Sequence, residues 1–162
     1  MKQPNTTKPM IAGWRLNHLQ LTVARGTLLR DYDKMQSFYC GVLGFIPTRI
    51  DKFGSDHVFL ATDPEGSQFL YIAEDPQPMQ AHANDHLGFH LQCRADVDRV
   101  LAACKQVQTQ DARMQIQQLE DLDLAETVTH AFYFKYLLPL WFDIQVIEHK
   151  RGFEPRRRWS FG

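Results

Sequence analysis

The sequence has no long apolar run. Its longest stretch of apolar residues, Leu137 to Phe142, has six members, whereas a helix that crosses a bilayer needs about 20. An excess of one charge is also lacking, because 18 Lys and Arg side chains balance 19 Asp and Glu side chains to a net charge of -1. Binding to nucleic acid or acidic lipid favours an excess of basic residues. The composition therefore predicts neither a nucleic acid nor a membrane as partner.

Cysteine is scarce. The chain has three, Cys40, Cys93 and Cys104, and their spacing matches no CxxC pair. An odd, scattered set is typical of reduced thiols rather than of a disulfide framework or a zinc site. The residues after Met1 also lack the apolar core of a signal peptide. Both absences favour a cytoplasmic protein.

What is present is the composition of a globular protein, with 162 residues of which 44% are hydrophobic and 12% aromatic. This length suits one domain, or two very small modules that share a core. Folding at this size buries roughly 70% of the surface of the unfolded chain, so neither a disulfide nor a structural metal is needed for stability.

A weak internal repeat organises the chain. Residues 16–23 and 86–93 both alternate between apolar and polar side chains, as half-buried strands do. A shift of 68 residues superposes His18 on His86. The same shift places Leu19, Leu21 and Val23 on Leu87, Phe89 and Leu91. We therefore expect one strand to open each of two equivalent modules.

A helix is predicted to follow each of these strands. Residues 33–45 carry apolar side chains at helical spacing, and Gly44 supplies a left-handed stop. Residues 96–107 show the same spacing, with Asp96 as a plausible N-cap. Residues 24–30 are interpreted as a loop inserted before the first helix.

Three more strands are predicted in each half. They cover residues 45–50, 57–62 and 68–74, then 114–119, 128–136 and 142–148, and Asp63–Gly66 forms a hairpin turn. The pattern predicts an α+β fold with a βαβββ module at 14–75, a linker at 76–84, a second βαβββ module at 85–149 and a basic tail at 150–162. The strands should form a curved mixed sheet around a cleft, with the helices on its convex face, because Leu21 and Phe89 must be covered.

The paired histidines are the strongest candidates for chemistry. His18 and His86 begin equivalent strands whose apolar side chains lie on the other face, so both imidazoles should point into the cleft. Imidazole is a common ligand of Zn, Fe, Ni and Co. The two ring nitrogens would then lie within about 5 Å of each other and share one ion at roughly 2.1 Å each. The alternative is that each histidine bonds a backbone carbonyl at the end of a strand.

Four segments carry a resemblance to a known family. They are Asn17-His18-Leu19, Phe38-Tyr39-Cys40-Gly41-Val42-Leu43-Gly44-Phe45, His86-Leu87-Gly88-Phe89 and Pro139-Leu140-Trp141-Phe142-Asp143-Ile144-Gln145. With these segments, spread over residues 14–149, the chain resembles the vicinal oxygen chelate superfamily, which includes glyoxalase I, extradiol dioxygenases, fosfomycin-resistance enzymes and bleomycin-binding proteins. The resemblance implies a divalent metal ion (Fe, Zn, Ni, Mn or Co) held by His18, His86 and a ligand on the last strand.

The third ligand departs from the family pattern. The family's glutamate falls on Gln145, whose neutral carboxamide binds a metal less tightly than a carboxylate. In the first half, we place Leu70 at the equivalent position, where glyoxalase I has a glutamate. These departures favour either a site with three ligands, as in the dioxygenases, or a protein that binds no metal.

Two further residues are candidates for catalysis. His90 lies on the same strand face as His86 and could act as an acid or base within about 3 Å of a substrate oxygen. Tyr133 and Tyr136 lie near the place where the extradiol enzymes have a tyrosine that bonds the substrate, and we take Tyr136 as the catalytic candidate. The alternative for the tyrosines is a place in the core or an interface, and for His90 a partly exposed strand position.

Three functions remain open. The first is a metal-dependent enzyme of the glyoxalase or dioxygenase type that acts on a small organic molecule with adjacent oxygens. The second is a metal-free protein that sequesters an aromatic or hydrophobic small molecule. The third is a regulatory module that uses the basic tail, although such a tail is more often a solvated terminus. The resemblance, together with 19 aromatic residues, also predicts a homodimer.

Overall fold

The computed structural model describes residues 16–52 and 55–154. The strands form two β-sheets, each with its own hydrogen-bond ladder. The first sheet contains β1 (His18–Ala24), β2 (Ile46–Lys52), β3 (Ser55–Ala61) and β4 (Phe69–Asp75) in the order β1-β4-β3-β2. The second contains β5 (His86–His90), β6 (Gln115–Gln118), β8 (Thr127–Lys135) and β9 (Trp141–His149) in the order β5-β9-β8-β6, and the short β7 (Leu122–Asp123) pairs with β8. The predicted α+β fold with two repeated modules is confirmed.

Each sheet is mixed in the same way. The opening strand pairs in parallel with the last strand of its module, β1 with β4 and β5 with β9, and the other pairs are antiparallel. The Asp63–Gly66 turn forms as predicted, because the Gly66 N–H donates to the Asp63 carbonyl over 3.1 Å. The strand β7 was not predicted. Residues 14, 15, 53, 54 and 155–162 of the predicted modules and tail lie outside the described residues.

The helices are α1 (Thr27–Met35), a π-helical segment (Gln36–Cys40) and α2 (Arg94–Gln110). In the part of the chain that the structure describes, no helix is both long enough and apolar enough to cross a membrane. The prediction that Asp96 is the N-cap of α2 is wrong. The helix already begins at Arg94, with Cys93 in the extended conformation before it. Asp96 lies in the first turn instead.

The segment at 24–30, predicted to be a loop, is largely helical. Gly26 adopts a left-handed conformation with φ 78° and α1 begins at the next residue. No side chain within the helix caps its start. Instead, the Glu74 carboxylate on β4 accepts the backbone N–H groups of Leu28 at 2.7 Å and Gly26 at 2.9 Å. The residue that caps the start of α1 therefore lies on β4, so the sequence around the helix start does not reveal it.

The predicted helix over 33–45 is divided into two parts. After Met35 the backbone widens, and the Gly41 N–H donates to the Gln36 carbonyl, five residues earlier, over 3.2 Å. A side chain at position 41 would place its Cβ only 2.4 Å from the Ser37 carbonyl oxygen, so only glycine fits. Gly44, at φ 74°, stops the segment as predicted.

One hydrophobic cluster contains the apolar faces of both sheets and of both helices. Leu21 is fully buried, and Phe89 is half-buried with its ring stacked on Phe142 at 5.7 Å. Both residues pack into the hydrophobic core rather than facing solvent, as predicted. Every second residue of β1 belongs to the core, so His18 and Gln20 lie on the opposite, exposed face.

The π-helical segment joins the first module to the second sheet. The Phe38 ring meets Phe134 at 5.3 Å and Tyr136 at 5.2 Å, edge to face. The Tyr39 hydroxyl, which is buried, donates to the Tyr136 backbone carbonyl. These contacts place the helix-bearing sides of both modules against each other.

A network of ion pairs reinforces the same junction. The Asp31 carboxylate on α1, which is buried, lies 2.9 Å from Arg113, which follows α2. Burial alone would raise the pKa of Asp31, but hydrogen bonds from Arg113 and Arg30 outweigh it and the pKa is lowered. Lys34 on α1 also pairs with Asp111 at 2.9 Å. Charge therefore complements the aromatic contacts between the modules.

We predict that Glu74→Ala lowers the free energy of unfolding by about 1–2 kcal/mol, because two N–H groups at the start of α1 lose their acceptor. Urea denaturation measures the effect. The matched control is Glu65→Ala in the exposed 63–66 turn, which should change stability by less than about 0.5 kcal/mol. Equal effects of the two substitutions would contradict the capping role of Glu74.

Candidate functional site

The exposed face of the second sheet collects polar side chains from β5 and β9. The two strands pair in register, His86 with Trp141, Gly88 with Asp143 and His90 with Gln145. Because alternate residues share a face, all six lie on the side away from the core. Gly88 leaves space in the middle: a Cβ there would lie 3.4 Å from the Gln145 amide nitrogen and 3.8 Å from an Asp143 oxygen.

Asp143 is the unusual residue of this face. It is only 5% exposed, and its Oδ1 atom is buried without a hydrogen-bond partner among the described residues. Burial raises the pKa of Asp143, opposed by the nearby charge of His86 and by a hydrogen bond from the Tyr133 hydroxyl. A buried carboxylate oxygen without a partner is costly, so a protein that retains one needs a reason for it.

Tyr133 contacts both His86 and Asp143. It projects from β8 beside β9, where its backbone pairs with Asp143. Its ring meets the His86 imidazole edge to face at a centroid distance of 5.3 Å. Burial raises the pKa of Tyr133, and the charge of Asp143 adds to this. The phenol therefore remains a hydrogen-bond donor to the carboxylate at neutral pH.

A cavity of about 300 Å³ opens beside His86. Its walls come from β5, β6, β8 and β9 and from the segments next to them. The lining residues are Ala83, Asn84, His86, Gln117, Leu119, Tyr133 and Trp141. Aromatic and apolar walls with a few convergent polar groups are typical of small-molecule sites.

The hydrogen bonds of the two repeated histidines fix their tautomers. The His86 Nδ1 atom lies 2.9 Å from the Asn84 backbone carbonyl, which can only accept, so Nδ1 carries the proton. His18 Nδ1 lies 2.8 Å from the Asn17 side-chain oxygen, and the Asn17 amide nitrogen donates to the Ser67 carbonyl. In the neutral form of both rings, Nε2 therefore holds the lone pair that a metal would use.

His18 belongs to a row of aromatic rings on the exposed face of the first sheet. Its imidazole stacks on Phe69 at 5.1 Å, and Phe69 contacts Phe59 at 5.2 Å. Phe59 contacts Tyr71 at 4.7 Å, and the Tyr71 hydroxyl lies 2.7 Å from His57 Nδ1. His18 and His86 thus lie on different sheets with different neighbours.

No three His, Cys, Asp or Glu side chains of the described residues form a cluster able to hold a metal.

The other predicted site residues are engaged elsewhere or lie at the edge of this face. The His90 Nε2 atom accepts the Ile147 backbone N–H over 3.1 Å, so this lone pair stabilises the sheet. Tyr136 is buried in the junction between the modules, and its hydroxyl donates to Asp111 at 3.2 Å. Gln145 is half-buried beside Gly88. Catalytic roles for His90 and Tyr136 stay predictions.

The placement of Leu70 is corrected by the strand register. Leu70 pairs with Leu19 and is buried in the core, so it does not face the exposed side. In the second sheet Gln145 pairs with His90, four residues after His86. The matching residue in the first sheet is Ala73, which pairs with Thr22. An alignment based on spacing alone missed this, because the loops of the two modules differ in length.

Asp143 is the site residue that sequence reasoning did not identify. It stands in the quoted segment 139–145, on the same strand face as Gln145, and pairs with Gly88. Strand alternation places it on the polar face. That signal could have identified it as a second candidate ligand, but its burial and its unpartnered oxygen appear only in three dimensions.

Comparisons with solved structures show the same fold at low sequence identity. A glyoxylase/bleomycin resistance protein/dioxygenase domain from Frankia sp. is 14% identical with a TM-score of 0.57, covering 87% of this chain and 96% of that chain. The fosfomycin resistance protein FosX from Listeria monocytogenes is 16% identical with a TM-score of 0.54, covering 83% and 91%. An integron cassette protein from the mobile metagenome of V. cholerae is 19% identical with a TM-score of 0.52, covering 85% and 98%.

A search of curated protein sequences finds no significant match. The family model of the Glyoxalase/Bleomycin resistance protein/Dioxygenase superfamily matches residues 15–116. This match includes β1, the helices and the start of the second sheet. It agrees with the fold and with the resemblance carried by the sequence motifs. The chain belongs to the Glyoxalase/Bleomycin resistance protein/Dioxygenase superfamily.

Proposed function

We propose that the chain is a metal-dependent enzyme that acts on a small organic molecule with two adjacent oxygens. The observation that carries this proposal is the buried Asp143 carboxylate on the same sheet face as His86, because its Oδ1 atom has no hydrogen-bond partner within residues 16–52 and 55–154. A divalent cation would satisfy this oxygen and offset the cost of burying the charge.

The residues on this face suit such an ion. His86 offers an Nε2 lone pair, because its Nδ1 proton is donated to a backbone carbonyl. Asp143 supplies the negative charge that the neutral Gln145 lacks. The Gln145 amide also borders the space that Gly88 leaves open beside Asp143. Imidazole with carboxylate and carboxamide oxygens is a donor set for Zn, Fe, Mn, Co or Ni.

The surrounding side chains would prepare the site for its ligand. A bound metal would supply Lewis-acid chemistry, polarising the two substrate oxygens. Tyr133 donates a hydrogen bond to the Asp143 carboxylate and packs against the His86 ring, so it restrains both groups. Trp141 and Leu119 give the adjoining cavity two apolar walls.

We propose further that the complete site forms between two copies of the chain. The apolar faces of both sheets share one core, which leaves the His18 face and the His86 face on the outer sides of their sheets. A homodimer would cover the His86 face of one copy with the His18 face of the other. His18, with Nε2 available, would then complete the ligand set across the interface.

A second candidate function is favoured by the aromatic row on the first sheet. The rings of His18, Phe69, Phe59 and Tyr71 form a continuous half-exposed surface. Such a surface binds flat apolar molecules by stacking. A protein that sequesters an aromatic compound without a metal would use this row and would not need Asp143. Metal content and metal affinity separate the two functions.

We predict that tag-free protein takes up a divalent metal, and that Asp143→Asn weakens its binding by more than about 100-fold, since even the loss of an outer-shell partner costs 10–100-fold. The apo variant should be at least as stable as the wild type, because a neutral amide is cheaper to bury than a charge. Calorimetric titration with Zn²⁺ or Co²⁺ measures the affinity, and Asp33→Asn on the exposed side of α1 is the control.

Comparison with Gln145→Ala decides which side chain is the ligand. If Gln145→Ala loses more metal affinity than Asp143→Asn, the assignment of Asp143 as the metal ligand is refuted. If the wild type binds no divalent metal but retains an aromatic compound, the sequestering function is the better description.

We predict that Tyr133→Phe weakens metal binding about 10–100-fold through the loss of its hydroxyl, as expected for a residue that orients a ligand. The phenyl ring keeps its contact with His86, but the buried Asp143 carboxylate loses a hydrogen-bond donor, so the metal-free variant should be less stable by about 1–3 kcal/mol. Tyr32→Phe in the first module is the matched control. Unchanged affinity in Tyr133→Phe would show that Asp143 needs no orientation from this hydroxyl.

Mixing two inactive variants tests the shared site. His18→Ala and His86→Ala should each lose metal binding as homodimers. After exchange of subunits, half of the dimers are mixed and each regains one intact site, so about a quarter of the wild-type metal capacity should return. If each site forms within a single chain, mixing restores nothing. Sedimentation of the wild type as a monomer would exclude the dimer directly.

A further inference from the structure

A histidine away from the candidate metal site is held between two carboxylates. His130 projects from β8 toward α2, on the strand face opposite to Tyr133. Its Nδ1 atom lies 2.8 Å from an Asp121 oxygen and its Nε2 atom lies 2.9 Å from an Asp98 oxygen. A neutral imidazole has a single N–H, and a carboxylate only accepts. The geometry with both contacts therefore requires the protonated ring.

The surrounding charges come from every element packed against this ring. Asp98 and Arg94 lie on α2, Asp121 lies between β6 and β7, and Glu148 lies on β9. Arg94 bridges Asp121 at 2.8 Å and Glu148 at 3.2 Å. His130 is thus the second positive group of a cluster with three carboxylates, and it is 19% exposed.

This cluster is connected to the wall of the candidate cavity. Asp121 is two residues from Leu119, which lines the cavity that contains His86. The 119–121 segment joins β6 to β7, and Leu119 is 54% exposed. The side chain of Asp121 ties this segment to His130 and Arg94.

We propose that His130 is a pH-sensitive clamp on the 119–121 segment, which holds the Leu119 wall in place while the imidazole is protonated and loosens it when the proton is lost. Deprotonation removes one of the two N–H donors. The lone pair of the deprotonated nitrogen then faces a carboxylate and repels it. This mechanism does not depend on whether the cavity holds a metal.

The direction of the pH dependence follows from the charges. Burial, and the positive charge of Arg94, lower the pKa of His130, but hydrogen bonds to Asp121 and Asp98 outweigh them and raise it. A pKa raised in the folded state stabilises the protein fully below the unfolded value of about 6.5. The stabilisation is lost as the pH rises through the folded pKa. The clamp should therefore be closed in mildly acidic solution and open in alkaline solution.

Histidine NMR and amide exchange test the clamp together. In the wild type, the His130 ring should titrate above the ordinary histidine pKa. After correction for intrinsic exchange, the backbone amides of residues 119–123 should exchange several-fold faster at about pH 9 than at about pH 6. In His130→Gln this difference should vanish, whereas His149→Gln at the exposed end of β9 should retain it.

A second variant keeps the ring and removes one acceptor. Asp98→Asn should move the titration of His130 toward that of a free histidine and reduce the pH dependence of the 119–123 amides. A His130 ring that titrates at or below the ordinary value in the wild type would overturn the proposal. So would pH-independent exchange of these amides, or the same pH dependence in His130→Gln.

Discussion

The packing of Phe38 and Tyr39 against the second sheet determines how the two modules are placed. Both rings come from the π-helical segment of the first module and meet Phe134, Tyr136 and Phe142 of the second. As a result, the apolar faces of both sheets pack into one hydrophobic core. Everything polar on alternate strand positions must point outward, including the two histidines of the repeat. A site that uses both histidine-bearing faces must therefore form outside this core.

Electrostatics distinguishes the two exposed faces. On the first sheet the positions beside β1 carry Phe69 and Tyr71, and His18 stacks on the Phe69 ring at the end of an aromatic row. On the second sheet the matching positions are Trp141 and Asp143, and one oxygen of the buried carboxylate has no hydrogen-bond partner in the part of the chain that the structure describes. The repeat thus supplies equivalent histidines but opposite surroundings: one face is suited to stacking and the other to binding a cation.

The sequence was sufficient for features that depend on local periodicity. Alternation identified the strands and placed His18 and His86 on the face opposite to the apolar side chains, and a shift of 68 residues between them revealed the two modules. Features that depend on partners distant in the chain were missed. Helix α1 starts early because Glu74 lies across from it, and the position of Leu70 depended on a register that spacing does not give. The importance of Asp143 likewise comes from burial by neighbouring strands.

The capping of α1 by Glu74 has a consequence for how the chain folds. The carboxylate lies 46 and 48 residues from the N–H groups that it accepts, and β4 is also the strand that pairs in parallel with β1. Contacts of such long sequence separation form slowly, because a large loop must close first. During synthesis, the first helix therefore lacks its start until residue 75 has left the ribosome. We therefore expect the first module to fold as one late cooperative step rather than element by element from its beginning.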